Sequence, residues 1–255
     1  AVRNSSHYGI AGYYGLMAEQ EGMIGITGTN ARPSIAPTFG VENMLGTNPL
    51  TFVMPTDEDF PFFLDCATSV IQRGKIEFYA RSGKDTPQGL VIGRDGKTLT
   101  DSGEILKALV AGEAALAPLG GIGEDNGGYK GYGYAAVVEI LSAALQGGAF
   151  LKMLTGVRDG KKVPYNLGHF FIAINIDSFT ELDEFKKTTG DILRELRNSD
   201  VAPGAERIYT AGEKEHLAYL ERKDKGVPVN EALQNEMIQL VDELGLKGYD
   251  FLYNE

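Results

Sequence analysis

One cysteine, Cys66, occurs in the 255 residues. That excludes an intrachain disulfide framework and makes the cytoplasm the expected compartment. The histidines are His7, His169 and His216, with no pair at H-x-x-x-H spacing, so no metal site is expected. No apolar run approaches the roughly 20 residues needed to span a bilayer. The first residues also lack the basic-then-apolar order of a signal peptide. Basic residues are scarce: 24 Lys and Arg stand against 35 Asp and Glu, a formal net charge of -11. Such a surface repels phosphate backbones, and no Lys/Arg run makes a local exception. Nucleic acid and anionic membranes are therefore not expected partners. Neither an internal repeat nor a low-complexity linker interrupts the chain.

What remains is an ordinary globular balance, 43% hydrophobic and 23% charged, in a length that suits one large domain or two small ones. The 33 glycines are clustered, which marks sharp turns or close backbone approach. Residues 1–3 read as the end of a strand. Position 1 is not methionine and a motif follows at once, so a preceding segment is expected to be absent. A helix is expected over residues 7–20, with Ile10, Ala11, Tyr14, Met17 and Ala18 at helical spacing and Gly22 as its stop. Strands are expected at 23–27, 50–54, 62–64 and 170–174, the last of them central. A hairpin over 89–99 should turn at Asp95-Gly96. Further helices are expected from Thr68 or Ser69 to Gly83, over 134–146 (apolar nearly all round, hence buried), over 180–197, over 213–223 and over 230–244. Asn230 is placed to cap the last of these and Gly245 to end it. Helix followed by buried strand is the rhythm of an α/β protein.

Two familiar patterns mislead. Gly131-Tyr132-Gly133-Tyr134-Ala135-Ala136 fits G-x-G-x-x-A, but a dinucleotide fingerprint needs a strand directly before it, and residues 126–130 read as loop. Gly96-Lys97-Thr98 imitates the end of a P-loop, yet its first glycine would fall at Val91. The conventional Rossmann reading and a phosphotransferase reading both fail. Cys66 has no histidine near it in sequence and reads as a small buried apolar residue rather than a nucleophile.

Six separated segments look unlike ordinary core or surface. They are Asn4-Ser5-Ser6-His7-Tyr8-Gly9, Thr29-Asn30, Gly46-Thr47-Asn48-Pro49, Asp65-Cys66-Ala67-Thr68-Ser69, Lys130-Gly131-Tyr132-Gly133 and Ala211-Gly212-Glu213-Lys214-Glu215. In this order, with Asn166-Leu167-Gly168-His169-Phe170-Phe171 and Gly226-Val227-Pro228-Val229, the set resembles the non-Rossmann malate/L-lactate dehydrogenase family, which includes ureidoglycolate and sulfolactate dehydrogenases. The family pattern N-S-x-H-x-G, G-T-N-P-L, D-x-A-T-S and K-G-Y-G covers most of the chain.

The resemblance implies an α/β fold with the non-Rossmann NAD(P)-binding domain of sulfolactate dehydrogenase, over residues 1–198. C-terminal helices, over 199–255, complete a second domain with the segment that precedes N-S-x-H in the family and supplies a second histidine and an arginine. It also implies a homodimer and hydride transfer between NAD or NADP and a small 2-hydroxy or 2-keto acid. Malate/oxaloacetate stands ahead of lactate, ureidoglycolate and sulfolactate. The rival from another class is a fragment that binds cofactor without turnover.

Under the resemblance, His7 is the acid/base candidate, because imidazole holds or releases a proton near neutral pH. Packing or capping of the following helix is its plain alternative. Lys130 is a catalytic, substrate-carboxylate or cofactor contact, or an ordinary exposed lysine. Asp65 holds the nicotinamide region or orients the acid/base group, caps the helix after it, or does both. Cys66, Ala67, Gly212, Glu213 and Lys214 match cofactor positions, with Asn30 as a secondary cofactor candidate and Asn48 as a secondary substrate candidate. Turn-forming asparagine is the alternative for these last two. Two departures stand out: Ala31 where relatives can carry serine, and Ala211 where they often carry proline. His169 reads as a satisfied core histidine and His216 as exposed.

Overall fold

The computed structural model describes residues 1–249 of the chain. It divides into two compact units, residues 1–213 and a second from Lys214 onward. The last six residues of the expected 199–255 segment lie outside the described residues.

The first unit opens with β1 (Val2–Ser5), α1 (Gly12–Glu19), β2 (Met23–Thr29), β3 (Leu50–Met54) and β4 (Phe62–Cys66). It continues through α2 (Arg73–Arg81), β5 (Val91–Gly93), α3 (Ser102–Ala111), β6 (Ala114–Leu116) and α4 (Gly128–Ala143). A small ribbon, β7 (Val157–Arg158) with β8 (Lys161–Lys162), precedes β9 (Leu167–Asn175) and α5 (Leu182–Arg197). The main sheet has five strands in the order β1-β9-β2-β3-β4, and every neighbouring pair is antiparallel. The 170–174 run lies inside a longer strand that sits between β1 and β2.

Antiparallel partners point to the same side of a sheet, so the register assigns the faces. Gly25, Val53 and Phe63 share one face with Thr51 and Asp65. Helix α1 lies there on its glycines. A Cβ at Gly15 would stand 2.5 Å from Val53 Cγ2, and one at Gly25 would stand 2.4 Å from the Gly15 carbonyl oxygen. The helix therefore begins at Gly12 rather than His7 and buries Gly12 and Gly15, while Ile10, Tyr13 and Met17 face outward. The opposite face, which carries Gly168 and Phe170, meets α4: a Cβ at Gly168 would fall on the Ser142 carbonyl.

A second core fills the space between α2, α3 and the β5-β6 pair, around Ile35, Ile76, Val91, Ile105 and Leu116. Each large side chain fully buried here contributes about 1.5–3 kcal/mol of burial free energy. The 33–46 stretch is irregular, as its prolines require, but it joins this core through bridges from Ile35 to Leu45 and Leu116. The hairpin turns at Asp95-Gly96, with Gly96 at φ 79 and the Gly93 amide donating to the Lys97 carbonyl at 2.8 Å.

Two more helices differ from expectation. Helix α2 starts at Arg73, because Thr68 and Ser69 are buried in loop structure. Helix α4 starts at Gly128, six residues before the apolar run, so the G-x-G-x-x-A pattern lies inside a helix and not in a phosphate-binding turn. Nor is α4 fully buried: Tyr134, Val137 and Ile140 are exposed. Helix α6 (Glu213–Lys225), whose first residue is the last of the first unit, is followed by α7 (Glu231–Leu244). The Asn230 side chain accepts from the Leu233 amide at 2.9 Å, and Gly245, left-handed at φ 59, closes the helix.

Candidate active site

The N-S-S-H segment runs off β1 at the sheet edge beside β9. His7 is solvent-exposed, and its Nδ1 accepts the Gly9 amide at 3.1 Å. That contact assigns the proton of the neutral ring to Nε2 and leaves Nε2 to face a ligand. Its neighbour Tyr8 anchors the segment. The Tyr8 ring stacks on His169 with centroids 4.3 Å apart, and its carbonyl accepts the Tyr14 hydroxyl at 3.0 Å. His169 is buried, with Nδ1 2.7 Å from Thr29 Oγ1. Burial holds its imidazole below the ordinary histidine value, with the His7 charge acting in the same direction and the Ser6 backbone opposing.

Asp65, near the end of β4, does not cap the helix that follows it. Its Oδ2 accepts the Gly12 amide at 2.8 Å, capping α1 instead, and its Oδ1 accepts the Thr51 hydroxyl at 2.9 Å. The carboxylate fixes the start of the helix that follows His7. Next to it, Cys66 reaches solvent, but burial against the protein pushes its thiol up and the Asp65 charge adds to that. A protonated thiol is a poor nucleophile, as expected from sequence, but Cys66 is exposed and is not the small buried apolar residue expected there.

His7, Asn30, Asp65, Cys66 and Ala67 line one cavity of about 400 Å³, together with Thr29, Thr47 and Leu167 among others. Five of the site residues expected from sequence, from three separated segments, thus converge. Asn30, on the cavity wall, and Asn48, outside that lining, are both buried. Asn30 Oδ1 accepts the Gly168 amide at 2.8 Å, and Asn48 Oδ1 accepts the Ala31 amide at 3.1 Å. Both amide groups donate toward Glu139 of α4, Asn48 at 2.8 Å and Asn30 at 3.5 Å. Glu139 also accepts the Leu151 amide at 2.9 Å. Sequence reasoning missed Glu139; its only signal was a lone carboxylate inside an apolar helix.

The comparisons with known proteins bear on this arrangement. The family described as malate/L-lactate dehydrogenase matches residues 1–238. The chain belongs to that family. The malate dehydrogenase of Pyrococcus abyssi is 44% identical over 98% of this chain and 67% of its own length. The L-sulfolactate dehydrogenase of Methanocaldococcus jannaschii is 38% identical over 99% of this chain and 68% of its own. Among solved structures, malate dehydrogenase from Entamoeba histolytica superposes with a TM-score of 0.90 at 47% identity, covering 98% of this chain and 69% of that one. The chain therefore spans about two thirds of the length of these relatives, and its mixed α/β architecture is theirs.

The remaining candidates of this dehydrogenase family member lie outside the cavity. Lys130 is exposed in the first turn of α4, with Nζ 5.7 Å from the Tyr129 ring centroid. Its neighbour Gly131 packs on Leu119, whose amide donates to the Thr68 carbonyl at 2.8 Å. Gly212 packs on β4 at φ 93, and the Phe63 amide donates to the Ala211 carbonyl at 3.2 Å, two residues along the strand from Asp65. Glu213 is buried, and its carboxylate is tied to Arg207 and to the Thr210 amide. Lys214 opens the second unit.

Proposed function

We propose that this chain carries the hydride-transfer site of a malate-type dehydrogenase, exchanging a hydride between a nicotinamide cofactor and a small 2-keto or 2-hydroxy acid. The observation that carries the reading is the single cavity in which His7 meets the Asp65-Cys66-Ala67 segment. Its volume, about 400 Å³, lies at the lower end of ordinary ligand pockets. It therefore fits a nicotinamide ring with a small acid, not a whole dinucleotide. Apolar groups (Ala67, Leu167, Pro49) supply a flat wall and the Asp65 segment a polar one. Cys66, Ala67 and the backbone near Asp65 would hold the ring. Lys130, Gly212, Glu213 and Lys214 are the proposed contacts for the rest of the cofactor, with NAD and NADP both admitted. NAD stands in the names of two relatives, the ureidoglycolate dehydrogenases (NAD(+)) of Escherichia coli O157:H7 and of Escherichia coli strain K12, each 26% identical over 93% of this chain.

Bound there, the nicotinamide supplies or accepts the hydride. His7 handles the proton. Its Nε2–H donates to the substrate's 2-oxygen and polarises the carbonyl. As the oxygen gains charge it takes that proton, and Nδ1 takes one from solvent as the Gly9 contact opens. Oxidation of the alcohol runs the same transfers backward. Asp65 positions the His7 segment through α1, and Asn30 and Asn48 stiffen the wall behind it.

The identity to malate dehydrogenases supports malate/oxaloacetate as the substrate pair. The exposed apolar stripe of α4 suits the homodimer that the family resemblance implies, and the single cysteine suits the cytoplasm.

The test is oxidation of NADH or NADPH on addition of oxaloacetate, pyruvate or 3-sulfopyruvate, followed by absorbance. Removing a general acid/base typically costs about 10²–10⁴-fold in rate, so His7→Ala should lose that much kcat while still binding cofactor. If His7→Ala keeps its turnover, the proton role of His7 is wrong. A folded chain that binds cofactor and turns over none of these acids is a binding fragment instead.

A further inference from the structure

The cavity at His7 has a neighbour. A second space of about 690 Å³ shares His7, Ala31, Thr47 and Leu167 with the first. Its outer wall brings in two guanidinium groups, Arg32 and Arg73, with the polar side chains Ser34 and Asn43, and no carboxylate lines it. In a chain of net charge -11, a cavity walled by two arginines and no acid is a selective feature.

Each arginine is delivered by an element whose position is already fixed. Arg32 follows Ala31, whose amide is held by the buried Asn48 at 3.1 Å. Arg73 is the first residue of α2, and its Nε pairs with Glu77 one turn on, at 3.0 Å. That exposed pair contributes little by itself, and it engages Nε rather than the terminal nitrogens.

We infer that Arg32 and Arg73 recognise the second acidic group of the substrate, a carboxylate or sulfonate at the end remote from the oxygen held by His7. The inference rests on the proposed chemistry at His7, and it names what decides substrate class there. An acid whose 2-oxygen meets His7 extends across the shared wall into the arginine space. The planar fork of a guanidinium matches an oxyacid with two parallel hydrogen bonds. An acid that ends in a methyl group offers these arginines nothing.

Charge-assisted hydrogen bonds of this kind are worth about ten- to hundred-fold in affinity. The test uses Arg32→Gln, Arg73→Gln and the double variant of this chain. It measures kcat/KM with oxaloacetate, 3-sulfopyruvate and pyruvate, and calorimetric binding of L-malate against L-lactate, which needs no turnover. The ratio of kcat/KM for oxaloacetate over pyruvate should fall about ten- to hundred-fold in each single variant, carried by KM. Preference for malate over lactate in binding should fall by a similar factor. Loss with 3-sulfopyruvate alone would assign the pair to a sulfonate, and loss with oxaloacetate alone to a carboxylate. If kcat/KM relative to pyruvate is unchanged for both oxaloacetate and 3-sulfopyruvate, and malate binding relative to lactate is unchanged as well, the inference is overturned. If the unaltered chain binds malate through the arginines but turns over no keto acid, the hydride-transfer reading fails and the recognition stands. If it turns over oxaloacetate with a preference the arginines do not affect, the reverse holds.

Discussion

Glu139 shows how much one side chain can organise without touching a ligand. It is 6% exposed, and its two oxygens receive the Asn48 amide group, the Leu151 backbone and, at longer range, the Asn30 amide group. Those asparagines in turn hold the Ala31 and Gly168 amides, which border the cavity and the last strand. Glu139→Gln keeps the shape but turns one acceptor into a donor facing donors. A buried hydrogen bond to a charged acceptor is worth about 1.5–3 kcal/mol. Chemical denaturation should show a loss of that size, with substrate KM raised because the wall loosens. A variant as stable as the parent would mean the network relaxes without cost. This residue was not legible in the sequence, because a carboxylate among apolar helical neighbours looks the same whether it faces water or three donors. His7, Asp65 and Cys66 were legible because each sits in a short segment whose composition matches neither core nor surface.

At the scale of elements, α1 explains both a success and an error of sequence reading. Apolar residues at helical spacing point to a helix and do so correctly. They assign the buried face only in part, however: Ala11 is buried beside Gly12 and Gly15, but Ile10 and Met17 are exposed. Periodicity detects packing by side chains and is blind to packing by backbone. Strands fared better, since residues in β2, β3 and β9 form continuous apolar runs bounded by turn residues. Helix α3 went unread, and α4 was started late because its first turn is glycine and tyrosine. The close approach makes a sharp prediction. Gly25→Ala would drive a methyl group into the Gly15 carbonyl, 2.4 Å away. Overpacking of this kind costs about 1–3 kcal/mol. A lower urea midpoint with an unchanged m-value is expected, and full parental stability would show that α1 can lift without penalty.

For the whole molecule, His169 couples stability to pH. It lies at the join of β9, β2 and the Tyr8 anchor, and its pKa is held below the unfolded value of about 6.5. The unfolded chain therefore takes up the proton first as pH falls. The stability this neutral histidine confers is intact above about pH 6.5 and drains away from there down to its folded pKa. Unfolding free energies measured between neutral and mildly acidic pH should decline over that range, and His169→Gln should flatten the decline after allowance for its lower starting stability. An equally steep decline in that variant would assign the effect to other groups.

The strand order carries a consequence in time. Val2 pairs with His169, and every residue of β2 from Met23 to Thr29 also pairs with β9. On a ribosome adding about 5–20 residues per second, β1 has to wait on the order of ten seconds for its partner strand to be made. Until then the segment carrying His7 has no sheet edge to lie against. Synthesis thus completes β2 to β4 early and sets the segment that carries His7 in place among the last.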